Sequence, residues 1–156
     1  MSALSDLALK KAIGYVGQKE IPEGSNWGVF VGACLALIGI HSPAYWCAAF
    51  VYRCFNEAAA ELGIVNPVPK TGHCLTMRNL TPDKNKIKVP VPGCIFIIRV
   101  GTKGGGHTGI VKEVDMLKGL YRAVEGNSDP KGGHNGIGVF IPKWRKISEA
   151  AAFLLF

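Results

Sequence analysis

The sequence predicts an α+β fold built as a single domain of residues 1–156, with helices in the first half and an antiparallel β-sheet in the second. Apolar residues recur at helical spacing up to about residue 80. From Pro90 onward the chain consists of short apolar runs separated by glycine-rich turns, which is typical of strands. Helices followed by strands indicate two packed layers, and 156 residues are enough to bury one substantial core.

The helical half contains four predicted segments. Their starts are placed by capping residues, and their ends by glycine or by a polar loop such as QKEIPEGSNW. The predicted helices cover residues 3–16, a short segment from a cap at Ser25 or Asn26 to Ile38, a segment from a cap at Ser42 to Leu62, and one or two turns within 71–80.

The strand half contains five predicted strands. The run GTKGGG before the second strand is predicted to be a mobile turn, and Gly119 in the turn MLKG suits a positive φ. The predicted strands are residues 94–100, 107–115, 120–125, 138–142 and 152–156.

Cys47 lies where a helix makes a thiol reactive. With Ser42 as the N-cap and Pro43 in the first turn, Cys47 falls in the opening turns, on the inward face with Phe50 and Val51. The N–H groups and the positive end of the helix dipole favour a thiolate there. Cys47 is therefore a candidate nucleophile, and the alternative is a small core residue, because free cysteine is often buried.

A cysteine nucleophile needs a base, and His107 is the best placed of the four histidines because it opens a strand after three glycines. If the hairpin turns about Leu117, His107 faces Asn127, and Glu125 shares their side of the sheet. The two polar side chains could then hold the imidazole in one orientation. An even-length turn would send Glu125 to the other face. The alternative for residues 125–127 is an ordinary strand end followed by a turn.

The charge of the chain indicates a polyanionic partner. Eighteen Lys and Arg stand against 11 Asp and Glu, a net charge of +7, which suits nucleic acid, an anionic membrane or an anionic wall polymer. The basic residues are dispersed without interleaved aromatic residues, and no nucleic-acid motif is found, so nucleic acid is not the expected partner. No apolar run approaches the roughly 20 residues of a membrane span, so no transmembrane segment is expected.

The cysteines and the N-terminal residues indicate whether disulfides, a metal site or a signal peptide are expected. Five cysteines cannot all pair, and their density is too low for a disulfide scaffold, so they are expected to be reduced. No zinc spacing is found, and neither a metal nor a cofactor is expected. The first 20 residues lack a basic start, an apolar block and a cleavage site. We therefore expect synthesis in the cytoplasm without a signal peptide.

Three segments, PAYWCAAFV, GGGHTGIVKEV and VEGNS, resemble in this order the signature blocks of the CHAP family, the cysteine- and histidine-dependent amidohydrolases/peptidases that cut peptidoglycan. The early segment EIPEGSNWG resembles the stretch that opens many wall-hydrolase domains, so the similar layout spans residues 15–156. The resemblance implies the NlpC-type papain-like fold, with the nucleophile at a helix start. The chain departs from the pattern at Cys94, where such domains often have an acidic residue.

The resemblance also implies roles for single residues, and the early and first blocks supply candidates for substrate binding. The residues that match catalytic positions are Cys47 as the nucleophile, His107 as the general base and acid, Glu125 as the residue that orients the histidine, and Asn127 as a fourth polar member. The candidate substrate-binding residues are Asn26, Trp27, Tyr45 and Trp46, with core packing as the alternative for Trp46. The candidates for a second oxyanion donor are Tyr45, Asn26 and Ser25.

The function implied is hydrolysis of a peptidoglycan amide bond through a thioester, either by an N-acetylmuramoyl-L-alanine amidase or by an endopeptidase of the stem or bridge peptide. A phage endolysin or a secreted antibacterial effector, acting in the periplasm or cell wall after export, fits this expectation. The expected partner is peptidoglycan, an immunity or inhibitor protein is a further candidate, and we expect a monomer. Two alternatives stay open: an acyltransferase or protease with the same triad, and a non-catalytic wall-binding module.

Overall fold

The computed structural model describes residues 2–156 and confirms the α+β arrangement, with N-terminal helices packed on a C-terminal antiparallel sheet. The helices are α1 (Ala3–Gly14), α2 (Val29–Leu37), α3 (Cys47–Glu61) and α4 (Cys74–Leu80). The strands are β1 (Lys86–Ile87), β2 (Ile95–Val100), β3 (Gly105–Asp115), β4 (Leu120–Ser128), β5 (Gly138–Phe140), β6 (Arg145–Lys146) and β7 (Ala150–Leu154). Two short 3-10 helices, Asp83–Asn85 and Ile147–Glu149, complete the described elements. None of the helices within 2–156 is long and apolar enough to cross a membrane.

The helix α3 begins at Cys47 itself, so the prediction that Ser42 caps it is wrong. Trp46 is the N-cap residue and makes no side-chain capping bond. Its indole is fully buried and its Nε1 donates to Glu20 Oε1 at 2.8 Å. This bond and the burial of the ring hold residue 46 in a non-helical conformation, and they set the start of α3 in place of a polar cap.

The second helix also begins later than predicted. Gly28, with φ +123°, is its N-cap residue, so neither Ser25 nor Asn26 caps α2. A Cβ at Gly28 would lie 2.9 Å from the backbone nitrogen of Ile21. The chain therefore passes too close to itself here for a capping side chain.

The sheet is ordered β1-β7-β2-β3-β4-β5, with β6 also paired to β4, and every pairing is antiparallel. The two-residue strands β1 and β6 are too short to show a period in the sequence, and neither was predicted. The strand β3 begins at Gly105, so the predicted turn is shorter at its C-terminal end than GTKGGG.

The hairpin of β3 and β4 reaches the predicted register by an unpredicted route. Ile110 pairs with Val124, which is the register of a turn about Leu117. The loop itself has an even number of residues, 116–119, and Asp115 pairs with Leu120 at its base. A bulge between Val111 and Glu113 absorbs the one-residue difference. An even-length loop alone would place Glu125 on the opposite face of the sheet from His107. The bulge shifts the register by one residue, so Glu125 stays on the same face as His107.

Two apolar clusters lie on opposite sides of the central strands. Ile95 and Ile97 belong to the larger cluster, which packs against α3, whereas Phe96 belongs to a smaller cluster with Tyr121 and Phe153. This alternation is the two-residue period of a strand. The helix α3 contacts the other helices and also β3 and β4, so its first residue lies beside the sheet.

Candidate active site

Cys47 combines a helix start with near-complete burial. As the first residue of α3, it has a backbone N–H that precedes the intrahelical hydrogen bonds. The thiol lies 3.5 Å, sulfur to sulfur, from Cys74. A hydrogen bond from Cys74 holds the pKa of Cys47 well below its ordinary value, against the opposing effect of burial, and the nearby His107 lowers it further. The same interaction between the two sulfurs raises the pKa of Cys74, so Cys47 is the thiol of the pair that ionises more readily.

His107 lies in β3 with its ring fully buried, and its two nitrogens face different partners. Nε2 donates to Glu125 Oε2 at 2.7 Å. Nδ1 makes no hydrogen bond to any residue within 2–156, which leaves it to act towards Cys47. Burial lowers the pKa of His107, but the interactions with Cys47 and Glu125 outweigh burial and raise it to about 9. The favoured state is thus imidazolium beside thiolate.

Glu125 is held as a carboxylate by Arg145, a residue that the sequence analysis did not single out. Arg145 donates from Nε to Oε1 at 2.7 Å and from Nη2 to Oε2 at 2.6 Å, a bidentate pair. Its guanidinium also lies 5.5 Å from the ring centroid of Phe96. Burial raises the pKa of Glu125, yet Arg145 and His107 together bring it below the ordinary value.

Two glycines of the recognised segments make these contacts sterically possible. A Cβ at Gly109 would lie 2.5 Å from the carbonyl oxygen of Val124 and 2.9 Å from Glu125 Cγ. A Cβ at Gly126 would lie 2.6 Å from Phe50 Cβ, where α3 packs on β4. Gly109 therefore leaves room for the carboxylate, and Gly126 for the helix that begins at Cys47.

A cleft of about 380 Å³ opens beside the two sulfurs. It is lined by the first residues of α3, α4 and β3, by Val100 at the end of β2, and by residues of the loops around them. His134 also lines it, with its ring centroid 5.3 Å from that of His107. Burial, followed by the positive charges of His107 and Arg145, lowers the pKa of His134, so it faces the imidazolium as a neutral ring. Within the described residues 2–156, no cluster of three or more His, Cys, Asp or Glu side chains could hold a metal ion.

Comparison with protein families matches residues 40–127 to the CHAP domain. The matched segment is more than half of the chain and includes Cys47, His107, Glu125 and Asn127. The chain belongs to the CHAP family. Searches of curated proteins and of solved structures found no significant match. The CHAP assignment identifies a family of peptidoglycan amidases and peptidases, generally hydrolytic in activity.

Asn127 occupies its CHAP position without the contact expected of it. It is buried with φ +54°, in an irregular part of β4, and neither its Oδ1 nor its Nδ2 makes a hydrogen bond within residues 2–156. The expectation that two polar side chains hold the imidazole is met by Glu125 alone. That expectation was based on the alternation of side chains along a regular strand. Because φ is positive at Asn127, its side chain does not follow this alternation.

The candidate substrate-binding residues of this CHAP domain are divided by the structure. Tyr45 lines the cleft and is 63% exposed. Trp46 is fully buried and bonded to Glu20, so it packs in the core, and its assignment as a substrate-binding residue is wrong. Asn26 and Trp27 are not among the residues that line the cleft. The backbone N–H of Asn26 donates to the same Glu20 at 3.0 Å, so Glu20 links the loop at Asn26 to Trp46, the residue before Cys47.

Proposed function

We propose that this protein is a peptidoglycan hydrolase that cleaves an amide bond by nucleophilic catalysis at Cys47. The observation that carries the proposal is the buried pair of His107 and Glu125, joined by the 2.7 Å bond from His107 Nε2 to the carboxylate. Nδ1 of the same ring has no hydrogen-bond partner within residues 2–156, and Cys47 is near enough to lower its own pKa and raise that of His107 through their interaction. A thiolate beside an oriented imidazolium is the arrangement that acyl transfer from an amide requires.

In the first step, the Cys47 sulfur attacks the amide carbonyl carbon. The carbonyl electrons move to oxygen, and the resulting oxyanion takes the backbone N–H of Cys47 as a donor, an interaction worth about 2.7–4 kcal/mol in other enzymes. Tyr45, alone among the three candidates for a second donor, lines the cleft. His107 Nδ1 delivers its proton to the departing nitrogen, the C–N bond breaks, and a thioester with Cys47 remains.

In the second step, His107 acts as a base. The neutral Nδ1 takes a proton from water, the water oxygen attacks the thioester carbonyl, and the C–S bond breaks. The products are a carboxylic acid on the substrate, which loses its proton to solvent, and the regenerated thiolate and imidazolium. Glu125 does not change its protonation in either step; it keeps Nε2 protonated and so keeps Nδ1 directed at the reacting atoms.

The charge of the protein suits a wall substrate. A net charge of +7 favours a meshwork that carries anionic polymers, and Lys103 lines the cleft where a carboxylate of a stem peptide would lie. We propose that the enzyme acts in the periplasm or cell wall after export. The specific bond is either the N-acetylmuramoyl-L-alanine amide or a peptide bond of the stem or bridge.

The test is digestion of purified sacculi by the unmodified protein, by Cys47→Ala and by His107→Ala, with mass spectrometry of the soluble products. We expect new amino and carboxyl termini from the unmodified protein and none from either variant, and the termini identify the bond. Cys94→Ala is a matched control, because it removes a buried thiol that does not line the cleft and retains Cys47, His107 and Glu125. Binding of all variants to sacculi without release of products by the unmodified protein would refute the hydrolase and favour a wall-binding module.

A further inference from the structure

The sulfur of Cys74 lies close to that of Cys47, and the proposed mechanism does not use it. The two sulfurs are 3.5 Å apart, and both residues are buried and line the cleft. They lie 27 positions apart in sequence, each as the first residue of its helix, so the fold brings them together. Both therefore face a small molecule that enters the cleft.

The position of Cys74 is fixed by its neighbours on both sides. His73 caps α4, since its Nδ1 accepts from the backbone N–H of Thr76 at 3.3 Å. On the sheet side, a Cβ at Gly106 would lie 2.9 Å from Cys74 Cβ, so only glycine at this position allows the approach. The thiol is thus held against β3, next to the residue that precedes His107.

The other three cysteines differ from this pair. Burial raises the pKa of Cys34 to about 11 and that of Cys94 to about 12, and it raises the pKa of Cys54 as well. A thiol that stays protonated is a poor nucleophile towards peroxides. Cys47 is the cysteine with a lowered pKa, and Cys74 is the thiol within reach of it.

We propose that Cys47 and Cys74 form a dithiol site that a peroxide converts reversibly into a disulfide. This goes beyond the proposed hydrolase activity, although it involves the same sulfur. Cys47 sulfur attacks one peroxide oxygen, the O–O bond breaks, and the second oxygen leaves as water after taking a proton, which gives Cys47 sulfenic acid. Cys74 sulfur then attacks Cys47 sulfur, the S–O bond breaks, and water leaves with the Cys74 proton. Two electrons pass from the two sulfurs to one molecule of hydrogen peroxide, and two waters form.

The geometry requires only a short movement. A disulfide bond is about 2.05 Å long, so the sulfurs must approach by roughly 1.5 Å from their present separation, which rotation of two side chains at helix starts can supply. The disulfide removes the nucleophile, so the oxidised protein has no thiolate for acyl transfer. It also protects Cys47 from further oxidation to sulfinic and sulfonic acids, which thiols do not reverse.

The experiment exposes the reduced full chain to hydrogen peroxide, blocks remaining thiols with iodoacetamide, and measures intact mass and proteolytic peptides. We expect a loss of two hydrogen atoms, a cross-linked peptide pair containing Cys47 and Cys74, and return of both thiols with dithiothreitol. In Cys74→Ser we expect Cys47 to gain two or three oxygen atoms that dithiothreitol does not remove. Cys94→Ala, which changes a distant buried thiol, should retain the cross-link.

Oxygen addition to Cys47 without the cross-link in the unmodified protein would overturn the proposal, as would identical oxidation products in Cys74→Ser. The decisive peptide map needs only the unmodified protein, so a folding defect in a variant does not affect it. Since mass is measured without peptidoglycan, failure of the disulfide is distinguishable from failure of the hydrolase.

Discussion

Replacement of Arg145 by methionine tests whether the carboxylate that orients His107 depends on this cation. Glu125 is fully buried and the Arg145 side chain is 11% exposed, so water does not replace the two hydrogen bonds to the carboxylate that the variant loses. The variant also loses the bond from Nη2 to the carbonyl oxygen of Gly132. Breaking a buried ion pair by removing one partner costs about 3–5 kcal/mol of unfolding free energy. In a chain of this size, that loss corresponds to a fall of roughly 6–20 °C in Tm.

The pH dependence of this loss has a definite sign. The pKa of Glu125 is lowered in the folded protein, so its ionised form stabilises the fold at neutral pH, and this contribution disappears as pH falls through the folded pKa. Without Arg145, burial raises the pKa of Glu125 relative to the unmodified protein. The difference in unfolding free energy between Arg145→Met and the unmodified protein should be largest at neutral pH and shrink in acid, where Glu125 is protonated in both.

The assay is urea unfolding at neutral and at acid pH, with Lys112→Met as the matched control. Lys112 pairs with Glu113 at 3.3 Å, with side chains 34% and 38% exposed, and its removal should cost no more than about 1 kcal/mol. In a Glu125→Gln background the cost of Arg145→Met should fall, because no buried carboxylate remains to be neutralised. The reasoning would be refuted if Arg145→Met lowered the unfolding free energy equally in both backgrounds. It would also be refuted if Arg145→Met lowered the unfolding free energy no more than Lys112→Met does.

Three further outcomes are expected. The kcat/KM for peptidoglycan should fall as pH rises through about 9, because deprotonated His107 has no proton for the departing amine; steady activity well above that pH would contradict the assignment. Cys74→Ala should raise the apparent pKa for alkylation of Cys47 by iodoacetamide, because the variant loses the hydrogen bond that lowers this pKa. Cys74→Ser keeps a donor and should return the apparent pKa to that of the unmodified protein. Equal values in both variants would exclude the hydrogen bond as the cause. Gly126→Ala should lower unfolding free energy by about 1–3 kcal/mol in thermal or urea unfolding, because its methyl group overlaps α3, whereas Gly14→Ala, with nothing within 4 Å, should not; equal stability of the two would show that the helix gives way.

The hairpin shows how far sequence reasoning reaches. The pattern of strands and the facing of His107 and Glu125 follow from a two-residue period and a turn position. The bulge between Val111 and Glu113 does not, because inserting a residue into one strand leaves no local signature in KEVD. The face was therefore predicted from a loop length that the protein does not have.

The start of α3 and the role of Arg145 were missed for different physical reasons. Ser42 and Pro43 have the capping preferences of a helix start, but burial of Trp46 against Glu20 overrides them. Arg145 belongs to the short run KWRK, which resembles a solvated basic surface in sequence. The pairing of β6 with β4 brings Arg145 to the carboxylate of Glu125. A strand of two residues is too short to show a period, so the sequence does not predict this pairing.

The order of Cys47, His107, Glu125 and Arg145 in one row of the site explains why its charged groups stay ionised although burial disfavours their charges. Desolvation disfavours the charged form of each group, whatever its sign. The signs alternate along the row, so every charge has an opposite neighbour, and His107 and Glu125 each have two. The family match ends at residue 127, while the cation that ends the row lies 18 positions beyond it, at 145. We infer that the segment recognised as CHAP contains the reacting groups, whereas their ionisation depends on a strand outside it.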